Sequence, residues 1–377
     1  MSAKDIMSGD QPMPDDKVVA LPGADERVSS YRPVDLSTVS TDPIVADLLE
    51  REDGVHLFYR GRINWLFGQP ESGKTWVAVL LAKQVIEAGG RVLWLDMEDL
   101  PQTFLERMTS LGLDRAEVID QERVRYVQPR EPLFTNGKAW ADNLAERESL
   151  MAWAPDLVVF DACAESMGIE GMSVTSNDDV AEWMAHVIRP WTDVGSAVLV
   201  LDHLPKSNDN VADRYPIGGQ HKLASLDGTA IRAKITQNFG RHPGGTDDPI
   251  RGVIELTVTK DRSGGVRGQL GNTDGAGELV LDVHPNGGIG AFIREAGEAQ
   301  AERKAAGNAE IIGDVQQILR ELGPLGFRAI YSAIRDDPYS RTLGQPTLRG
   351  ALEFGVAKGW LTVEDGPNRS TLYQPGE

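Results

Sequence analysis

The sequence predicts an α/β protein: a mainly parallel sheet covered by helices, with a small helical unit behind it. Three observations predict this. Short apolar runs at Ile63–Phe67, Val92–Leu95, Leu157–Phe160 and Val198–Leu201 alternate with helical stretches, the pattern of strands buried on both faces. The first run leads into a glycine-rich loop and then a helix. The last part, 309–377, reads as three amphipathic helices followed by a hairpin.

Taken in order, residues 1–45 hold five prolines, four basic and eight acidic residues, without sustained periodicity. Such a segment buries too little apolar surface to offset its chain entropy, so an acidic tail is expected. Residues 46–290 are expected to form the main domain. Its first strand, Ile63–Phe67, precedes a helix over Thr75–Ala88 that stops at Gly89-Gly90. Val92–Leu95 is the next strand, and Leu100–Leu111 a helix with Phe104, Leu105, Met108 and Leu111 on one face. A helix at Asn177–Ile188 separates Leu157–Phe160 from Val198–Leu201. After 225, strands dominate (Ala230–Phe239, Ile254–Val258, Glu278–Val283). Residues 291–308 are Ala/Glu-rich and read as a helical linker. In 309–377, helices at Ile311–Leu322, Arg328–Ile334 and Thr347–Lys358 precede strands Trp360–Val363 and Ser370–Tyr373, the order of a winged helix.

The chain has 377 residues, consistent with two or three domains at ~100–200 residues each. Its net charge of −19 argues against a generally basic DNA-coating surface. A single cysteine, Cys163, excludes an internal disulfide and a thiolate zinc cluster, and it reads as buried packing. No apolar run approaches the length of a membrane span. The acidic N-terminus lacks the apolar stretch of a secretory signal, so a soluble, cytoplasmic protein is expected.

The sharpest signal is Gly68-Gln69-Pro70-Glu71-Ser72-Gly73-Lys74-Thr75, which matches G-x-x-x-x-G-K-[ST] at every fixed position. It also has a strand before it and a helix after it. Glycines let backbone N–H groups converge on phosphate oxygens, and the helix N-terminus adds its positive dipole end. Lys74 supplies a point charge to the β- and γ-phosphates, and the Thr75 hydroxyl can sit on Mg²⁺. The expected ligands are therefore ATP and Mg²⁺. A chance match in a glycine-rich turn is the bland alternative, and the flanking strand and helix weigh against it.

Asp161 ends a buried strand, the place where such folds hold a Mg²⁺-bound water. Asp96, Glu98 and Asp99 cluster after the second strand. One of them can activate water, and Asp99 also suits a helix cap. His203 ends the fourth strand, either as a γ-phosphate sensor or as an ordinary strand-end histidine. Lys260 and Arg262 lie just past a later strand. They either reach a neighbouring subunit's nucleotide or decorate a solvated turn.

Together these residues resemble a family. Gly-Gln-Pro-Glu-Ser-Gly-Lys-Thr at 68–75, Leu-Asp-Met-Glu-Asp at 95–99, Phe-Asp at 160–161, Asp-His-Leu-Pro-Lys at 202–206 and Val-Thr-Lys-Asp-Arg at 258–262 occur in the order and spacing of RecA-like hexameric replicative DNA helicases. The chain looks closest to the RepA type and more distantly to the DnaB type, over about 46–285. The resemblance implies a RecA-like P-loop ATPase domain in which Lys74 and Thr75 serve phosphate and magnesium. Glu98 matches the catalytic glutamate, Asp161 the second magnesium carboxylate, and His203 the sensor histidine. Lys260 and Arg262 match the turn that acts across the subunit interface, and Arg232 competes for that role. Arg107 falls where the RepA type has an arginine, without an assigned role. Departures are Asp202 in place of a second histidine, the segment 218–222, and the unit after 309, which has no RepA counterpart.

Polynucleotide contact in so acidic a chain must be local. Residues 203–241 carry six Lys/Arg against three Asp, and Lys206, Arg214 and Lys222 are the expected contacts to single-stranded DNA. In a ring, expected to be a homo-hexamer, such loops would line the channel; an ordinary solvated loop is an equal alternative. The winged-helix-like unit holds seven basic against nine acidic residues. It can serve as a protein–protein module, for example toward a replication protein. The leading expectation is an ATP-driven DNA translocase or replicative helicase. The rival is a nucleotide-switched DNA-binding adaptor, such as a helicase loader, recombination mediator or regulator, without unwinding. A small-molecule phosphotransferase is a weak third, since no acceptor site is discernible.

Overall fold

The computed structural model describes residues 33–135, 138–204, 219–240, 242, 246–336, 343–367 and 370–376. Residues 1–43 form one unit and 44–377 another. Of the first, the described part holds one 3-10 turn at Leu36–Thr38, capped by Asp35. The expected acidic tail otherwise lies outside the described residues.

The second unit opens with a hairpin, β1 (Leu48–Glu50) and β2 (His56–Phe58), followed by β3 (Ile63–Gly68), α1 (Lys74–Glu87), β4 (Val92–Asp96), α2 (Pro101–Ser110), α3 (Arg115–Val118) and β5 (Val124–Val127). A short pair, β6 (Phe134–Thr135) and β7 (Lys138–Ala139), leads to α4 (Ala141–Ala152), β8 (Leu157–Asp161), α5 (Cys163–Ile169) and α6 (Asn177–Trp183). The last of these runs through a π turn at Met184–Ile188 into α7 (Arg189–Asp193). β9 (Ala197–His203), α8 (Gly219–Ser225), β10 (Thr229–Gln237), β11 (Ile250–Asp261), α9 (Gly265–Gln269), β12 (Gly275–Val283) and β13 (Ile289–Arg294) complete the domain.

One nine-stranded sheet organises it, in the order β13-β12-β11-β10-β3-β9-β8-β4-β5. The six strands from β10 to β5 are mutually parallel. The other three add as antiparallel neighbours. The expected mainly parallel sheet is thus present, and its composition explains it. β3, β4 and β8 are buried at every position, because the sheet has a core on each face. One contains Leu66, Val77, Leu81 and Leu199. The other contains Trp65, Phe160, Trp183 and Val200. At ~25 cal/mol per Å², burial of such side chains is the main favourable term holding the layers together.

The region after 290 differs from the expected linker. Residues 289–294 are the edge strand β13, and α10 (Glu298–Leu322) is one helix of 25 residues that spans the Ala/Glu-rich stretch and the first expected helix. Its start is pinned by Glu278, which is buried on β12. Glu278 accepts from the Ala299 N–H (2.8 Å) and from the Arg294 guanidinium (3.1 Å). Arg294 also makes a fork to Glu302 (2.7 and 3.0 Å). Alanine and glutamate suit a helix, and the ion-paired first turn converts a linker composition into a docked element. β14 (Leu325–Gly326), α11 (Phe327–Asp336), α12 (Gln345–Ala357), β15 (Leu361–Asp365) and β16 (Thr371–Pro375) follow. The three strands pair in the order β14-β16-β15. These elements close on Ile312, Val315, Leu319, Ile330, Leu348 and Leu352. No helix among the described residues is long and apolar enough to cross a membrane.

Candidate nucleotide site

The carboxyl ends of β3, β9, β8 and β4 meet at one edge of the sheet, where α/β folds place their ligands. Gly68 pairs with His203, and Asp96 with Asp161. β9 lies between β3 and β8, so His203 stands between the loop 68–75 and Asp161.

Two glycines of the loop are required by geometry. A Cβ at Gly68 would stand 2.4 Å from the Ala233 carbonyl oxygen and 2.4 Å from Ser72 Oγ. Gly73 has φ +85°, and a Cβ there would meet Ile254 at 2.2 Å. No side chain caps α1, which begins at Lys74, so its N-terminal N–H donors are left for a ligand. Lys74 is buried. Its ammonium donates to the Gln69 carbonyl (3.1 Å) and lies 3.4 Å from both the Gly68 carbonyl and His203 Nδ1. Burial lowers its pKa, opposed by the charges of Glu98, Asp161, Asp202 and Glu165. Ser72 Oγ is buried with no hydrogen-bond partner. A buried ammonium resting on carbonyls, an orphaned hydroxyl and an uncapped helix start fit the phosphates of a nucleotide. Gln69, Pro70 and Glu71 complete the loop, Glu71 with φ +60°.

The three acids after β4 separate by geometry. Asp96 is a turn-holder: its Oδ1 accepts from the N–H groups of Glu98 (2.9 Å) and Asp99 (2.8 Å), and its Oδ2 from Tyr126 (2.8 Å). Asp99 is not the helix cap that the sequence suggested. Leu100 takes that position, and Asp99 pairs with Arg107 at 3.3 Å. Glu98 reaches the site, with His203 Nε2 3.1 Å from its Oε1. The histidine thus links the Lys74 ammonium to the Glu98 carboxylate. That hydrogen bond holds the Glu98 carboxyl below its usual range, against the effect of burial.

Asp161 is 5% exposed. Burial first, then the charges of Asp96 and Glu98, push its pKa up to about 7. A carboxylate held so unfavourably is one that a divalent cation would relieve. With Thr75 it is the donor pair that suits Mg²⁺, an oxygen-liganded ion.

Some functional candidates were not legible. Glu165, in the first turn of α5, brings its carboxyl near the Glu98 carboxyl and the His203 ring, with one ligand atom of each within 4.8 Å of the others. Its only sequence signal is an acid four residues after Asp161. Beside the loop, a cleft of about 980 Å³ opens between Trp76, Arg107, Phe239 and His284. Trp76 and Phe239 meet edge to face at 6.1 Å.

Other expected residues fall elsewhere. Lys222 does not face solvent: it is fully buried, with its ammonium 2.8 Å from Asp202 Oδ2, and Trp65 Nε1 donates to the same oxygen (3.2 Å). The DNA contact expected there is replaced by a structural ion pair, because Asp202 inside the sheet edge needs a cation. Lys206 and Arg214 lie outside the described residues. Cys163 is buried as expected. Lys260 donates to the Leu223 carbonyl within the chain. Arg262 is exposed at the amino edge of the parallel strands. Its N–H donates to Gly228 O (3.2 Å), and Gly228 in turn donates to Ile63 O (3.1 Å). Its backbone therefore lies about 16 Å from Gly68, at 3.3 Å per strand residue, out of reach of its own phosphate loop. Arg232, paired in register with Phe67, is much closer to that loop.

The sequence matches the AAA domain family over residues 30–209. It is 29% identical over 183 residues to "DNA repair and recombination protein RadB" of two strains of Halobacterium salinarum, covering 46% of this chain and 72% of each relative. Among solved structures, a KaiC-like protein of Pyrococcus horikoshii aligns with a TM-score of 0.43 at 14% identity, over 66% of this chain and 98% of the other. The complete motif at 68–75 and the mainly parallel sheet make this region an α/β core that carries a P-loop.

Proposed function

We propose that this chain hydrolyses ATP at the seam between its own copies and uses the cycle to act on single-stranded DNA, as a translocating motor of the replicative-helicase kind. The observation that carries the reading is the continuous link Lys74–His203–Glu98 across the ends of β3, β9 and β4. The loop 68–75 would hold the triphosphate, with Lys74 on its terminal phosphates. Thr75 and Asp161 would hold Mg²⁺, which when bound neutralises charge on the phosphates. Glu98 would take the proton of the attacking water, and Trp76 would stack on the base. His203 would report phosphate loss to the segment after β9, the stretch that includes Lys206 and Arg214. Arg262, distant from its own loop, would reach a neighbour's nucleotide, with Lys260 beside it; Arg232 is the competitor. A ring of six copies would bring such residues to every seam. The three helices and three-stranded sheet after 297 have the element order of a winged helix, which we read as a docking module for a replication protein.

The likeness to a recombination protein favours a second reading, a nucleotide-switched recombination-type factor that assembles on DNA without unwinding it. ATPase rate with and without single-stranded DNA, the mass of the ATP-bound assembly and strand displacement on a forked substrate separate the two. The motor predicts DNA-stimulated turnover on a ring-sized species and displaced strand. DNA-dependent assembly with no displaced strand supports the mediator, and a monomer indifferent to DNA contradicts both.

A further inference from the structure

The strand end that carries His203 is held as a strand on one side only. β9 pairs with β3 as far as Gly68 and His203, but its pairing with β8 ends at Phe160 and Val200. Beyond that point the Asp202 carboxylate supplies the anchor. Its Oδ1 accepts the His203 N–H at 2.8 Å. Its Oδ2 accepts the Trp65 indole N–H at 3.2 Å and the Lys222 ammonium at 2.8 Å. Trp65 belongs to β3 and Lys222 to α8, so one side chain joins three elements. α8 is itself tied down: the Leu223 carbonyl accepts from Lys260, and the Ser225 carbonyl from Arg189 at 3.0 Å. The ion pair is out of water, with the Lys222 side chain 0% and the Asp202 side chain 1% exposed. As a source of stability such a pair is a poor choice, since apolar side chains of similar volume often hold a core as well or better. What apolar side chains cannot do is fix the rotation of a carboxylate. With Lys222 and Trp65 on Oδ2, Oδ1 is left aimed at the His203 N–H.

We propose that Lys222, acting through Asp202, is a positioning residue that sets where His203 stands in the nucleotide site. This rests on the reading of His203 as part of the hydrolytic machinery. The ring spans a narrow gap, with Nδ1 3.4 Å from the Lys74 ammonium and Nε2 3.1 Å from Glu98 Oε1. Both contacts lie near the limit of useful hydrogen-bond length, so a small shift of the backbone loses one of them. Without Lys222 the carboxylate is free to turn, and the His203 N–H loses its fixed acceptor. The lysine that the sequence offered as a polynucleotide contact therefore serves the nucleotide site from beneath.

A double-mutant cycle on the full-length protein tests this, with kcat and KM for ATP and thermal melting measured for wild type, Lys222→Met, His203→Ala and Lys222→Met/His203→Ala. Lys222→Met keeps the reach of the side chain and removes the cation. It is expected to lower kcat about ten- to a hundredfold, the size of effect a misplaced group produces, with KM within about threefold of wild type. In the His203→Ala background the same substitution should change kcat by less than about twofold, because the group it positions is gone. An equal loss of kcat in both backgrounds overturns the proposal, since Lys222 would then serve only the fold; so does a Lys222→Met protein with the wild-type kcat. If Lys222→Met does not fold, or His203→Ala is too slow to measure, Asp202→Asn/Lys222→Met decides. It buries no charge, yet its single amide oxygen cannot serve both Trp65 and the His203 N–H. A low kcat with the melting temperature restored supports positioning, and a wild-type kcat overturns it. Full turnover by His203→Ala sinks the reading of His203 and the proposal with it, whereas His203-dependent turnover that ignores Lys222 sinks only the positioning.

Discussion

Two regions of the molecule bury carboxylates in opposite ways. At the β12–β13–α10 junction and beneath β9, each buried acid has its own cation. Glu278 is matched by Arg294 at 3.1 Å, and Asp202 by Lys222 at 2.8 Å. At the carboxyl ends of β4 and β8, four acids (Asp96, Glu98, Asp161 and Glu165) share Lys74, His203 and a more distant Arg107, and Asp161 is left with a pKa of about 7. Matched burial fixes elements in place. Unmatched burial leaves a site that a cationic ligand completes. The surplus of negative charge at one edge of the sheet coincides with the candidate nucleotide site, while the matched pairs elsewhere hold elements in place.

The contrast can be broken by substitution. The largest expected effect is on turnover. Lys74→Ala should cut ATP hydrolysis by at least a hundredfold, roughly what removing one transition-state donor costs, while leaving the melting temperature within a few degrees. Arg262→Ala should keep ATP binding and lose about a thousandfold or more in turnover if it acts in trans. Normal turnover would move that role to Arg232→Ala as the next test. On the matched side, Arg294→Ala leaves the buried Glu278 without its cation, and should cost about 3–5 kcal/mol of stability in denaturant titrations. Lys222→Ala should do the same to Asp202.

Asp161 gives the opposite sign. Its folded pKa lies above its unfolded one, so its contribution to stability is fully present below about pH 4 and is lost as pH rises through about 7. Above pH 7 the penalty in the nucleotide-free protein is on the order of 4 kcal/mol. Asp161→Asn should therefore stabilise the nucleotide-free protein at pH 8, change little at pH 4, and abolish the Mg²⁺ dependence of ATP binding. Denaturant unfolding across that pH range measures it. Equal stability of the two proteins at pH 8 would erase the distinction between the regions.

The sheet was legible because its central strands are short, mostly apolar runs buried on both faces, and the loop 68–75 because phosphate binding constrains its fixed positions. Glu98 could be chosen among three acids only through resemblance, and geometry then gave Asp96 and Asp99 their own tasks. Lys222 was misread because a lysine in a polar stretch looks solvated, and nothing local reveals that Asp202, twenty residues away, lies beneath it. Glu165 was missed because one acid in a seven-residue helix carries no periodicity. The Ala/Glu-rich stretch looked like a linker because its docking depends on Glu278 and Arg294, which belong to other elements.

Turnover per chain as a function of protein concentration, with single-stranded DNA present, tests the central claim most directly. The account predicts a rate that falls toward zero on dilution, along with the loss of the assembled species, and recovers when the chain is concentrated again. A rate per chain that stays constant down to concentrations where only monomer exists would contradict hydrolysis at a seam between copies.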